Sequence, residues 1–280
     1  MTSVTATNPQ LPSLSAAVVL HHSSLHQLQA MMASLDKAAG SVGAHLPLYL
    51  IDQSQSAVYS EGVRAMVHAA TPYSSLELHY IVRASNEGYG AGHNTVLDKA
   101  LGDYHLILNP DVELYENSLA HVMHNLRDHP EVTIMAPRGT NEKGEEEYLA
   151  KRYPSVLVLL LRAWGLPLLK RFFSNRLASY ELRDLPDEGG LQDVPLLSGC
   201  CMVARSDAFR AVGGFNERFF MYFEDYDLCM RLASKGRVVR DPTARIVHHG
   251  GGAARKGLRH IVWFVSGGVR FFQNWGWRWV

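Results

Sequence analysis

Five short apolar runs, each separated from the next by an amphipathic stretch, limit how this chain can fold. Residues 15–20, 46–51, 76–82, 104–108 and 132–136 have the length and composition of strands. Helical spacing fills the intervals at 26–35, 61–70, 95–101 and 119–128. Strands alternating with helices in this rhythm predict βαβ units and an α/β fold with a mainly parallel sheet. Polar residues gather where the predicted strands end: Asp52 and Ser54, then Asn86, then Asn109 and Asp111. Open α/β sheets bind ligands beyond the carboxyl ends of their strands, so these positions predict a ligand site along one sheet edge.

The rhythm stops near residue 140. Residues 150–190 are apolar, basic and acidic in succession and read as a helix pair forming a lid or an acceptor-facing insertion. A strand is predicted over 194–203, a helix over 206–212 with Ser206 as its N-cap, and short strands at 238–240 and 246–247. Between them three acids, Glu224, Asp225 and Asp227, follow an aromatic run of Phe219, Phe220, Tyr222 and Phe223. They stand at the start of a helix that Gly236 should close. Carboxylates beside apolar rings have raised pKa values, which suits a general base. The alternative is a negatively charged first turn that favours the helix dipole. Asp227, four residues before Arg231, predicts an ion pair.

Lys+Arg and Asp+Glu balance at 27 each, giving a formal net charge of zero, which argues against a general nucleic-acid binder. Cys200, Cys201 and Cys229 offer neither a disulfide framework nor zinc spacing and fit a reducing compartment. Residues 1–12 lack a signal-peptide pattern and no stretch has the length of a membrane span, so a cytoplasmic location is expected. Residues 261–280 are rich in Trp, Phe and Arg. That mix suits a helix at a membrane interface and equally a core-packing helix with a basic outer face. The expected organisation is a tail at 1–14, two halves at 15–138 and 139–255, and the aromatic, basic segment at 256–280.

Single motifs admit two readings each. The Asn109-Pro110-Asp111 turn can present a carboxylate to a divalent metal or be a plain turn. The glycine-rich run from Asn86 to Asn94 matches neither the dinucleotide fingerprint nor the P-loop; it can bring backbone N–H groups to a ligand or tighten a strand-to-helix connection. His248 can ligate a metal at a strand end. Asp52 can hydrogen-bond a nucleobase or cap a helix. Residues 140–147 read as a solvated turn.

Taken in order, these segments resemble the inverting glycosyltransferases of family 2, which have the GT-A fold, a Rossmann-like sheet flanked by helices with a C-terminal acceptor-binding region. The likeness is strongest to bacterial rhamnosyltransferases of lipopolysaccharide and other cell-surface glycans. It rests on Leu50-Ile51-Asp52-Gln53-Ser54, the 86–94 run, Leu108-Asn109-Pro110-Asp111, Ser198-Gly199-Cys200-Cys201, Gly213-Gly214-Phe215, Glu224-Asp225-Tyr226-Asp227-Leu228 and Val247-His248-His249-Gly250-Gly251. The resemblance implies Asp225 as base with Glu224 beside it. It implies that 15–138 is a nucleotide-sugar-binding half and 139–255 an acceptor-binding and catalytic half, with donor contacts from His22, Asp52, Ser54, Asn86, Gly88, Gly92, Asn94, Asn109 and Asp111. Asp111 and His248 would hold Mg²⁺ or Mn²⁺, and Gly199, Phe220, Tyr222 and Glu224 would meet the acceptor. The implied partners are a nucleotide-diphosphate sugar such as dTDP-L-rhamnose and a glycan or lipid-linked oligosaccharide. Peripheral membrane contact and a homodimer complete the expected partners, and no nucleic acid is among them. Two departures stand out: Asn109 replaces the first acid of the family's Asp-x-Asp motif, and His21-His22-Ser23 replaces the usual Asn- and Tyr-containing end of the first strand. The rival classes are a sugar-phosphate nucleotidyltransferase and a catalytically silent nucleotide- or glycan-binding subunit.

Overall fold

The computed structural model describes residues 12–69, 73–99, 101–164, 167–250 and 257–280. Gly251 and Gly252 of the histidine–glycine run, and residues 1–11 of the tail, lie outside them. The first half runs β1 (Leu14–Leu20), α1 (Leu25–Ser41), β2 (Leu46–Asp52), α2 (Ala57–His68), β3 (Leu76–Val82), α3 (Tyr89–Asn94), β4 (Tyr104–Leu108), β5 (Val112–Leu114), α4 (Ser118–Asp128) and β6 (Val132–Thr140). The second half adds β7 (Glu146–Glu147), β8 (Ala150–Lys151), α5 (Val156–Trp164), α6 (Pro167–Phe172), α7 (Ser174–Tyr180), β9 (Gln192–Asp193), β10 (Leu196–Leu197), β11 (Cys201–Arg205), α8 (Ser206–Ala211), α9 (Glu224–Leu232), β12 (Arg237–His248) and α10 (Leu258–Trp275).

One sheet carries the order β3-β2-β1-β4-β11-β6-β12-β5, with β7 on β6 and β9 on β12. Strands β3, β2, β1 and β4 are parallel, and β2, β1 and β4 are buried almost along their whole length, as strands covered on both faces are, while the edge strand β3 carries Glu77 and His79. Ala16, Val18 and Leu20 of β1 pack with Leu28, Met32 and Leu35 of α1 on one face. Ala17 and Val19 pack with Val96 on the other. Phe209 of α8 and Leu228 and Leu232 of α9 cover Ile107, Ile134 and Met202 on that second face. β11 runs antiparallel to both β4 and β6, and β12 is parallel to β6. The expected boundary at 138 falls inside β6, so one sheet joins the two halves.

Several elements differ from expectation for identifiable reasons. The 194–203 run divides into β10 and β11, because the chain turns at Gly199 to present its N–H to Asp225. The two short strands at 238–240 and 246–247 are one strand, β12, with a register shift between Asp241 and Arg245. The helix expected at 95–101 lies instead at Tyr89–Asn94, within the glycine-rich run. Ser206 is the first residue of α8 rather than its cap, and its hydroxyl is buried with no hydrogen-bond partner. Helix α9 closes at Ala233, and Gly236 is not left-handed. Among the described residues no helix is long and apolar enough to cross a membrane.

Two histidines are buried in the interior. His105 meets Ser15 Oγ at 2.9 Å, and burial depresses its imidazole to about 3. His93 is fully buried between the rings of Tyr89 and Phe215, with no hydrogen-bond partner on either nitrogen among the described residues. Burial, then the neighbouring His105, hold it well below the usual histidine range. Both folded pKa values lie below the unfolded 6.5, so the unfolded chain takes up these protons first. Stability is therefore full above 6.5 and falls as pH drops towards the folded values. His93→Leu should remove about 1.4 kcal/mol per pH unit from that acid slope, read by urea unfolding from about pH 6 down to 4.5. An unchanged slope would show that the folded His93 takes up its proton normally.

Candidate active site

β2 delivers Asp52 to the sheet edge in a fully buried position. Its carboxylate accepts from Ser54 N at 2.8 Å, Ser60 Oγ at 2.6 Å and Tyr80 OH at 2.5 Å. Burial works against the charge, but the hydrogen bonds outweigh it and hold the carboxyl below its usual range. Ser54 is buried beside it and accepts from Ser56 N at 3.2 Å. His22 is exposed in a left-handed conformation, φ 56°, against the ring of Tyr59.

Two residues without an expected role fasten the glycine-rich run to this edge. Gln53 Nε2 donates to Gly88 O at 3.0 Å while its Oε1 accepts from Glu87 N at 3.2 Å. Arg83, just past β3, donates to Ala91 O at 2.9 Å and Thr95 Oγ1 at 2.6 Å and pairs with Glu87. Asn86 Oδ1 accepts from Gly88 N at 3.0 Å, making the turn. Gly92 packs so tightly that a Cβ there would lie 2.6 Å from Val19 and 2.8 Å from Gln53. Asn94, expected to face the donor, instead donates to Phe215 O and Glu217 Oε1, both at 2.9 Å, and accepts from Phe215 N at 2.8 Å. Its amide is spent on positioning the 214–217 turn.

Gly88 has φ 99°, and a Cβ would lie 2.1 Å from Phe220 O, the carbonyl that accepts from Tyr89 N. Gly88→Ala should therefore cost roughly 2–4 kcal/mol, from strain plus forced backbone displacement. Gly213→Ala, at φ 74° with nothing within 4 Å, should cost only about 1–2 kcal/mol. Equal urea midpoints for the two variants would contradict the close approach.

The 109–111 turn is latched by Asn109 N donating to Cys200 O at 2.8 Å and by His249 N donating to Asp111 O at 2.8 Å. Among the described residues Asp111 Oδ1 is buried with no hydrogen-bond partner, and His248 Nε2 lies 3.7 Å from it. Glu147 Oε2 meets His248 Nδ1 at 2.6 Å. Residues 146–147 are thus not the solvated turn expected: β7 pairs with β6, and Glu146 meets Arg138 and Arg240. A Cβ on Gly250 would reach to 2.5 Å from His248 Nε2 and 3.2 Å from Asp111 Oδ2, so glycine keeps this cradle open. Among the described residues no three metal-ligating side chains converge. Asp111 and His248 nonetheless fit part of a divalent-metal shell: a hard oxygen without a partner, an imidazole beside it, and a carboxylate behind the imidazole. His249 faces Glu113 and Glu142, each at 2.7 Å.

Across from this turn, Tyr222 and Phe223 both adopt left-handed backbone, φ 69°, before α9 begins. Each such residue costs roughly 1–3 kcal/mol, so the surroundings must hold them. Gly267 of α10 does so: a Cβ there would lie 2.8 Å from Tyr222 O. Tyr222 OH meets His260 at 3.0 Å, and Phe220 packs on Trp263 at 4.5 Å. The strained pair turns Glu224 inward, buried with Oε2 unpartnered. Burial, then the charge of Asp225, push its carboxyl well above the usual range.

Asp225 is half-buried and accepts from Gly199 N and Tyr226 N, both at 2.9 Å. Burial raises its carboxyl to about 6 against the opposing pull of these bonds. Tyr89 OH donates to Gly199 O at 2.6 Å. The fold thus brings the 109–111 turn, the glycine-rich run and Asp225 together on one short segment, Gly199–Cys200. Burial pushes the Cys200 thiol up to about 12, which makes it a poor nucleophile. Asp227 is separate: it pairs with Arg231 at 2.8 Å and accepts from Trp275 Nε1 at 3.0 Å.

The N-acetylglucosaminyl-diphospho-decaprenol L-rhamnosyltransferase of Mycobacterium tuberculosis is 27% identical over 228 residues, 75% of this chain and 73% of that protein. Rhamnosyltransferase WbbL of Escherichia coli is 25% identical over 174 residues, 58% of this chain and 61% of that one. The crystal structure of GalNAc-T7 with UDP, GalNAc and Mn²⁺ superposes with TM-score 0.64 at 15% identity. It matches 96% of this chain, which spans about half, 49%, of that one, so the likeness is one of fold. The glycosyl transferase family 2 domain matches residues 59–213, which include the glycine-rich run, the Asp111 turn and the Gly199–Cys200 segment. This chain belongs to glycosyl transferase family 2, and within it resembles the rhamnosyltransferases.

Proposed function

We propose that this glycosyltransferase moves L-rhamnose from dTDP-L-rhamnose to a hydroxyl of a cell-surface glycan, such as lipopolysaccharide or a lipid-linked oligosaccharide, with inversion. It works on the cytoplasmic side, in peripheral contact with the membrane. The observation that carries the reading is the shared anchor: Cys200 O holds the Asn109–Asp111 turn while Gly199 N holds Asp225. A donor diphosphate at the first and an acceptor hydroxyl at the second would meet across one residue's width. The rhamnosyl donor is supported by the two rhamnosyltransferase relatives.

In this reading Asp225 accepts the proton of the acceptor hydroxyl as its oxygen attacks the anomeric carbon. The new C–O bond forms on one face, and the bond to the nucleoside diphosphate breaks on the other. The proton ends on Asp225 and the electron pair on the departing diphosphate. Asp111 and His248 would hold a divalent metal. When bound, the metal stabilises the negative charge gathering on the diphosphate. The unpartnered Oε2 of Glu224, kept protonated by burial, can donate to an acceptor oxygen.

The carboxyl raised to about 6 sets the pH dependence. Transfer needs it ionised, so kcat/KM should rise with pH through about 6 and level above it. The acid limb belongs to the Glu224–Asp225 pair and should move when Glu224→Gln removes one partner. A flat profile from pH 5 to 8 would contradict an acidic base. The donor is tested by nucleotide release from dTDP-L-rhamnose, UDP-GlcNAc and GDP-mannose with acceptor present. About tenfold preference for dTDP-L-rhamnose is expected, and preference for either of the others overturns the rhamnosyl assignment.

A further inference from the structure

Helix α10 is apolar on both sides. Its inner side buries Phe271 and Phe272 against Phe219, Phe223 and Leu159. On its outer side Leu258, Ile261, Val262, Val265 and Val269 recur at spacings of one to four residues and are exposed, Leu258 to 80% and Val262 to 63%. A surface helix ordinarily shows water its polar residues, and one that is apolar all round is normally covered. Helix α5 lies against α10, with Leu159 at 3.9 Å from where a Cβ of Gly268 would be. After it, α6 exposes Leu168 at 82% and Phe172 at 83%.

The charges that α5, α6 and α10 themselves carry are of one sign. No acidic residue occurs between Glu147 and Glu181, and none follows Asp241, in a chain whose overall charge is zero. Arg171 of α6 and Arg259 of α10 are exposed, as are Arg176 of α7 and Arg278 just past the end of α10. Exposed aliphatic side chains fringed by arginine and free of carboxylates complement an apolar layer topped by anions, whereas the core of a protein–protein contact is depleted in charge.

We infer that the outer face of α10 docks on an anionic lipid bilayer. The inference deepens the peripheral location proposed above and rests on it. Docking gives the helix two jobs: its inner side braces the left-handed Tyr222–Phe223 pair ahead of Asp225 while its outer side sits among acyl chains. The catalytic segment is then carried at headgroup level, where the hydroxyl of a membrane-anchored acceptor would be presented.

The test is co-sedimentation of the full chain with vesicles of phosphatidylcholine alone and of phosphatidylcholine mixed with phosphatidylglycerol. Binding to the anionic vesicles should be about tenfold tighter and weaken with salt. Val262→Glu with Val265→Glu should lower it about tenfold or more, with transfer to a water-soluble acceptor unchanged. Absence of binding to anionic vesicles, or equal binding by the double variant, overturns the proposal. So does a solution dimer that this variant dissociates while vesicles are ignored, which would make a second copy the occupant. Binding and transfer are read separately, so a chain that binds vesicles but ignores dTDP-L-rhamnose upholds docking and overturns the donor assignment.

Discussion

Asp225→Asn should lower turnover by about a hundredfold to ten-thousandfold, the range a positioned general base contributes. The substitution keeps size and position but removes the basic oxygen. It also leaves the local bonds imperfect, because two N–H groups, Gly199 and Tyr226, now point at oxygens and an amide offers only one. That mismatch should cost about 1–3 kcal/mol of stability, too little to explain the loss of rate. Donor affinity, measured by calorimetry with the unreacted nucleotide-sugar, should stay within about twofold, because the lost proton transfer belongs to the chemical step and not to binding. A variant with near-normal turnover would remove Asp225 from the mechanism. Glu224→Gln should be far milder, since a carboxyl that burial keeps protonated is already close to an amide in charge.

The second large effect concerns the metal. In EDTA the affinity for dTDP should fall about tenfold or more, and Mn²⁺ should restore it. Asp111→Asn should make nucleotide affinity indifferent to Mn²⁺ and lower turnover by a hundredfold or so, as expected for losing one charged ligand of a diphosphate clamp. Glu147→Gln tests the carboxylate behind the imidazole. It touches neither nucleotide nor metal in this scheme, yet losing the 2.6 Å contact to His248 Nδ1 should weaken the Mn²⁺ response by about 10–100-fold. Equal nucleotide affinity with EDTA and with Mn²⁺ in the parent chain would remove the metal from donor binding. In that case Asn109, in place of the family's first acid, would be the natural cause.

The sequence made the parallel half of the sheet readable because apolar strand runs and helical spacing repeat there and polar residues mark each strand end. The acids at 224–227 were readable as a helix start, and their separate roles needed the structure. Asp225 and Asp227 stand two residues apart, about 200° around a helix, so one faces Gly199 and the other Arg231 and Trp275. What stayed hidden are contacts between residues remote in sequence. Gln53 reaches Gly88, Tyr89 reaches Gly199 and Glu147 reaches His248, and no local period reports such pairings. The glycine-rich run misled for the opposite reason. Its glycines read as loop, but Gly90 and Gly92 are there because Phe215 and Val19 press against the backbone, and that pressure is compatible with a helix.

The place of β11 has a consequence for how the protein is made. β4 pairs with β1 on one side and waits on the other for Cys201–Arg205, which emerge from the ribosome roughly ninety residues later. Until then the nascent chain presents an open, apolar strand edge, and β6 cannot join the sheet, because β11 is the strand between them. The anchor that joins the Asn109–Asp111 turn to Asp225 lies just ahead of that late strand. β11 therefore both bridges the sheet between β4 and β6 and follows directly on the Gly199–Cys200 anchor, and a chain stalled before residue 205 lacks β11, Asp225 and β12 alike.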